Sequence, residues 1–160
     1  MPTKILTDQP QSKGKSYRAS SIPATAFTLI EAPYFSRTGR ANDALPVDPS
    51  DNNRTLLPGE VFLRTPLHIT NVAGSGTVTV TVTIAHEDGG TTTLAQDQPV
   101  EVKDTLYVPA QNSSLFKRDL ASPGNAGDRL RVTAGTAGAL DLFVMGNERL
   151  ALDHDPDTGS

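Results

Sequence analysis

The sequence predicts an all-β protein: an antiparallel β-sandwich of jelly-roll or Ig-like type, with roughly six to eight strands and an extended N-terminal arm. Three observations carry this. The stretch Thr77–Leu94, TVTVTVTIAHEDGGTTTL, alternates polar and apolar residues before running into a turn, as a half-buried strand does. Gly and Pro punctuate the chain, at 13 and 12 residues, which favours short strands joined by turns. No segment sustains the apolar spacing of a long amphipathic helix.

The regular pattern starts near Glu60. Val61–Leu63 and Leu67–Val72 read as strands, with Pro66 between them at an edge or a bulge, because proline cannot donate to a ladder. Ala73–Gly76 is a turn. Val78, Val80, Val82 and Ile84 then share one face and Thr77, Thr79, Thr81 and Thr83 the other. The first face is buried and the second wet, and the β-branched side chains suit a pleated surface. Asp88-Gly89-Gly90 supplies the positive φ of a tight hairpin, from which Thr91–Leu94 returns. Pro99–Val102 and Thr105–Val108 are short strands. Leu115 and Phe116, with Leu120, form a turn of helix or a loop anchor, and Ser122-Pro123-Gly124-Asn125 is a turn. Leu130 and Val132 alternate with Arg129 and Arg131 in a half-buried strand. Ala134–Gly138 turns the chain into a last strand, Ala139–Met145, with Leu140, Leu142 and Val144 inward. No fixed-period repeat is present, which argues against a solenoid.

Composition divides the chain into an extended, Pro-rich arm (1–58), a sandwich domain (59–149) and an acidic tail (150–160). The arm holds seven of the twelve prolines: Pro2, Pro10, Pro23, Pro33, Pro46, Pro49 and Pro58. Proline at that density argues against central strands. Its apolar patches, Ala26–Ile30 and Pro33–Phe35, are richer than a disordered linker carries and suit an arm that docks on a partner. Lys4, Lys13, Lys15 and Arg18 outweigh Asp8 at one end, and Asp153, Asp155 and Asp157 outweigh Arg149 at the other. Such ends are either solvated termini or attract one another between neighbouring subunits.

At 160 residues a single domain with its own core is expected. The absence of cysteine excludes disulfides and thiolate metal sites. A formal net charge of −4 argues against a general nucleic-acid binder. Met1–Ser16 has no apolar centre, so no secretory signal is expected, and no apolar run approaches the ~18 residues of a membrane span. His68, His86 and His154 share no metal-ligand spacing, and alternation sends His68 to the face opposite Leu67 and Ile69. Asp153–Gly159 departs from a calcium loop, since its glycine falls one place late. Neither a nucleophile elbow nor a phosphate-binding loop occurs. Clustered carboxylates are confined to Glu87/Asp88 and Asp153/Asp155, both in expected loops. The expectation is therefore no enzyme, no metal and no cofactor. Aromatics able to stack on sugars or bases are few: Tyr17, Tyr34, Phe35 and Tyr107. Tyr34 and Phe35 suit a docking anchor, because a large ring buried in a pocket can dominate an interface.

TLYVPAQNSSLFKRDLASPGNAGDRLRVTAGTAGALDLFVMGNE, beginning at Thr105, extends a pattern that starts with the Thr/Val strand. Val78–Ile84 is followed by the polar hairpin Glu87–Gly90, a strand ending in Val-Pro-Ala (Leu106–Ala110) and a Leu-containing loop (Leu115–Leu120). Gly127–Val132, an Ala137-Gly138 turn and Leu140–Met145 complete it. Over about residues 68–148 the chain resembles small β-sandwich structural proteins of tailed bacteriophage virions. The resemblance implies a virion component, assembled in the host cytoplasm, and brings no catalytic residues with it. The expected function is capsid decoration or cement, binding the outer lattice and bridging neighbouring subunits through the arm. The alternatives are a tail, neck or baseplate accessory, or a carbohydrate- or receptor-binding sandwich. Expected partners are the major capsid protein (or tail proteins) and copies of itself, as a homotrimer, with neither nucleic acid nor membrane. The expected contact residues lie in the arm: Phe27, Leu29, Ile30, Tyr34 and Phe35, with Lys13, Lys15 and Arg18 facing acidic neighbours.

Overall fold

The computed structural model describes residues 13–36, 45–46, 56–118 and 126–150. These form twelve strands: β1 (Lys13–Ala19), β2 (Phe27–Glu31), β3 (Tyr34–Ser36), β4 (Leu45–Pro46), β5 (Leu56–Leu63), β6 (Leu67–Asn71), β7 (Val78–Ala85), β8 (Thr91–Val100), β9 (Thr105–Val108), β10 (Ser114–Lys117), β11 (Arg129–Ala134) and β12 (Leu140–Leu150). No helix occurs among the described residues. The all-β sandwich is as the sequence predicts.

The strands form two antiparallel sheets. The smaller has the order β2-β11-β7-β8. The larger is organised around β12. One side of β12 pairs with β1, from Lys13↔Glu148 to Ala19↔Leu142. The other side pairs first with β6 and then with β5. β5 and β6 thus run as one line along β12, broken at Arg64–Pro66 where the sequence places its edge proline. At the break Met145 N–H donates to Thr65 Oγ1 and Arg64 N–H to Met145 O. β9 and β10 continue the sheet beyond β6 and β5, and β3, itself paired with β4, joins the far end of β5.

Strict alternation sets the core. Val78, Val80, Val82 and Ile84 point inward from β7, and Leu130, Val132 and Ala134 from β11. They meet Val61, Leu63, Leu67, Ile69, Leu115, Leu140, Leu142 and Val144 of the larger sheet. The opening Thr/Val strand is therefore a central strand of the smaller sheet. Its hairpin closes as expected, with His86 N–H on Gly90 O, Gly89 N–H on His86 O and Gly89 at φ 96°, a backbone state glycine reaches without steric cost.

Three expectations change. Pro99 and Val100 close the long strand β8, and no separate strand runs from there to Val102. Leu115 and Phe116 lie in a strand, β10, and not in a helical turn, because β5 offers them a ladder from Ser114↔Phe62 to Lys117↔Gly59. Residues 13–32 do not form an arm separate from the sandwich. β1 is an edge of the larger sheet and β2 of the smaller, and Tyr17, Ile22, Ile30 and Ala32 are buried in the common core. Pro23 and Pro33 fall outside these strands, so they remove no ladder donor. Glu60 is likewise buried, where Ser114 Oγ and Arg149 satisfy its carboxylate.

The long edge strand β8 is blunted. Its register against β7 shifts on both sides of Val82, Asp97 takes φ 47°, and Pro99 removes a donor. Bulges and prolines of this kind disfavour edge-to-edge pairing.

Candidate functional site

The outer face of the larger sheet carries a row of side chains in continuous register across four strands. Arg18 on β1 pairs with Phe143 on β12, Phe143 with His68 on β6, and His68 with Tyr107 on the edge strand β9. Directly opposed residues on one sheet face bring their side chains together. The Arg18 guanidinium lies 5.0 Å from the Phe143 ring centre. The His68 ring meets Phe143 edge-on at 5.7 Å and Tyr107 edge-on at 4.8 Å. His68 thus faces away from Leu67 and Ile69, as alternation predicts. Tyr107 is 59 % exposed, so its phenol ring is open to solvent at the end of the row.

Two residues along each strand runs a second, polar row. Thr105 on β9 opposes Thr70 on β6, and Thr70 opposes Asp141 on β12. The two threonine hydroxyls share one hydrogen bond of 2.9 Å. Asp141 Oδ1 accepts the Ser21 N–H at 3.0 Å. The two rows line a depression of about 290 Å³ formed by His68, Thr70, Thr105, Tyr107, Asp141, Leu142 and Phe143. Aromatic surface and hydroxyl or carboxylate hydrogen-bonding groups thus converge in one shallow, solvent-facing site.

A second polar cluster lies at one end of the sandwich, around a cleft of about 490 Å³ lined by His86, Glu87, Asp88, Arg118 and Asp128. Its carboxylates hold the chain together. Asp128 is buried, and its two oxygens accept the N–H groups of Glu87 and Phe116 at 2.9 and 3.0 Å. Glu87 Oε2 accepts the Arg118 N–H, and Glu87 Oε1 lies 3.3 Å from the buried Lys117 ammonium. Asp88 Oδ1 accepts the Gly90 N–H within the hairpin turn. These contacts tie β10 of the larger sheet to the ends of β7 and β11. His86 hydrogen-bonds Thr92 Oγ1 through Nε2. No group of three or more His, Asp or Glu among the described residues could hold a metal ion.

The residues expected to touch a partner are dispersed. Lys15 Nζ bonds Glu148 Oε1 at 3.0 Å at the rim of the larger sheet. Arg18 belongs to the aromatic row. Phe27 is exposed on β2, Leu29 is half-buried against the core, and Ile30 is 2 % exposed within it. Ile30 is thus a core residue and not a contact residue, because β2 joins the sandwich. Lys13 occupies the start of β1, and Tyr34 and Phe35 occupy β3; their side chains lie outside the described residues. Tyr17, expected among the exposed aromatics, is 8 % exposed. Its hydroxyl lies 3.2 Å from Glu148 Oε1. Burial first, and the Glu148 charge and hydrogen bond second, push its phenol far above the usual tyrosine range. Tyr107 was visible in the sequence as a stacking candidate, whereas Phe143 and Arg18 were not visible as its neighbours in a row.

The described part of the chain is thus an all-β, two-sheet sandwich with an open aromatic and polar face. No family model matches the sequence, and no curated protein matches it. Among solved structures, the chain is similar to the infectious bursal disease virus VP2 subviral particle, at TM-score 0.33 and 11% identity over 89% of this chain and 32% of that one. It is similar to a structure of infectious bursal disease virus Gx strain at TM-score 0.34 and 15% identity, over 91% of this chain and 38% of that one. It is also similar to the CBM22-1 xylan-binding domain of Paenibacillus barcinonensis Xyn10C at TM-score 0.29 and 14% identity, over 82% of this chain and 97% of that one. The chain spans about a third of the length of each of the two viral chains. Scores this low transfer no role.

Proposed function

We propose that the protein is a structural component of a tailed-bacteriophage virion, of the capsid decoration or cement type. The observation that carries this reading is the order of the segments that resemble such proteins. Val78–Ile84 lies in β7, Glu87–Gly90 in its hairpin, Leu106–Val108 in β9, Leu115–Lys117 in β10, Arg129–Val132 in β11 and Leu140–Met145 in β12. The segments expected as strands lie in strands and Glu87–Gly90 lies in a turn, whereas Leu115–Lys117, expected in a loop, is a strand. A rigid module with a blunted long edge suits a protein displayed in many copies, because it resists unplanned strand pairing.

The partner in this reading is the major capsid lattice, with a homotrimer as the binding unit. Of the contact residues expected from the sequence, Lys15, Arg18 and Phe27 are exposed in the described structure and are the ones assigned to this role. The test is copy number per purified particle, by quantitative mass spectrometry. A number comparable to that of the major capsid protein supports decoration. A much smaller number moves the protein to the tail, neck or baseplate. Absence from particles overturns the structural reading.

A further inference from the structure

The two rows on the larger sheet point to a ligand. We propose that this face is a binding site for a neutral, hydroxyl-rich saccharide, with a pyranose ring stacked on Tyr107. The inference does not depend on where the protein is mounted.

The face of an aromatic ring carries the negative part of its quadrupole, and it attracts the polarised C–H groups on one side of a pyranose. Tyr107, 59 % exposed at the end of the row, offers such a face. His68 touches it edge-on at 4.8 Å and so restrains the ring. Saccharide hydroxyls need donors and acceptors beside that ring. The Thr70–Thr105 pair uses one of its two hydroxyl protons internally, which leaves one O–H to donate outward and lone pairs to accept. Asp141 engages one oxygen with Ser21, so the other remains an acceptor.

Size and charge narrow the class. The depression of about 290 Å³ is at the small end of ligand sites, as one or two sugar rings require. The only charged side chains along the two rows are Arg18 and Asp141, and Arg18 is drawn over Phe143. Arg18 is not among the side chains that line the depression, and the one carboxylate there, Asp141, disfavours an acidic ligand. A protein partner would need a broader apolar centre. Here Tyr107 is the one large exposed apolar side chain in the two rows.

The test is an amide-resolved NMR titration of the full chain with methyl glucopyranoside, methyl galactopyranoside and methyl mannopyranoside. These differ in the orientation of single hydroxyls. The expected result is saturable shifts at residues 68, 70, 105, 107, 141 and 143 with at least one probe. Tyr107→Ala is expected to weaken that binding about tenfold or more, while Tyr107→Phe retains it, since stacking needs the ring and not the hydroxyl. Because Tyr107 is largely exposed, the Ala variant keeps the spectrum of the rest of the fold. Absence of shifts with all three probes overturns the proposal. So do shifts that persist in Tyr107→Ala, or shifts of the same amides with protein concentration alone, which would make the face a contact between copies.

Discussion

Lys117 Nζ lies 3.3 Å from Glu87 Oε1, with the lysine side chain only 2 % exposed. The pair links β10 to the turn after β7, and so one sheet to the other. Removing one partner takes this counter-ion from the other charge, and breaking a buried pair costs up to about 3–5 kcal/mol. Glu87→Ala and Lys117→Ala are each expected to lose stability on that scale in urea unfolding. The double variant Glu87→Leu, Lys117→Met is expected to lose much less, because it buries no charge. Equal losses in the single and double variants would overturn this account, because the double variant keeps apolar stems and strands no charge.

Asn71 organises the opposite end of the core. It is buried, and its Nδ2 donates to Gly76 O at 3.0 Å and to Val100 O at 2.8 Å, while Oδ1 accepts the Ala73 N–H at 2.9 Å. Asn71→Leu removes all three bonds and fits an apolar side chain against unpaired backbone groups. Each group left unpaired costs about 1–3 kcal/mol. A fall in the urea midpoint with an unchanged slope is expected. Hydrogen exchange of Ala73 should rise most, since its N–H loses its partner.

Gly146 sits in β12 opposite Leu63 of β5 and Lys15 of β1. A Cβ there would come to 2.9 Å from Phe62 O, a backbone atom that cannot rotate away, and to 3.4 Å from the Tyr17 ring. Gly146→Ala is expected to destabilise the fold by about 1–3 kcal/mol, as overpacking does. Thermal unfolding checks it. An unchanged midpoint would mean that β5 and β12 separate more readily than their ladder suggests.

The Tyr17 phenol is pushed upward by burial and by Glu148, from an ordinary value of 10.0. A raised pKa in the folded state means that the unfolded chain releases this proton first. The contribution is therefore complete below about pH 10 and is lost as pH rises beyond it. Stability measured by urea at stepped alkaline pH should fall above that value. In Tyr17→Phe the fall should be smaller. A fall of the same size in both proteins would assign it to other groups.

Much of the scaffold is legible in the sequence because it is local. The Thr/Val alternation of 78–85, the turn at Asp88–Gly90, the break at Pro66 and the inward faces of β11 and β12 all follow from side-chain period and turn chemistry. β10 was not legible. Leu115 and Phe116 have too short an apolar run to choose between a helical turn and a strand, and the ladder offered by β5 decided it. Nor was the membership of β1 and β2. Lys13–Ala19 has the polar, Lys-rich composition of an edge strand, which sequence alone does not separate from an exposed arm.

The sequence by itself determined the all-β class, the turns at Ala73–Gly76, Asp88–Gly90 and Ala134–Gly138, and which face of each regular strand is apolar. Those properties depend on neighbours within a few residues, through the two-residue period of a strand and the φ restrictions of Gly and Pro. Only the tertiary structure decided which strands lie side by side. Backbone donors and acceptors are alike at every non-proline residue, so a ladder does not name its partner in the sequence. Arg18, His68, Tyr107 and Phe143 come from four distant segments, and they form one row because β1, β12, β6 and β9 share a register.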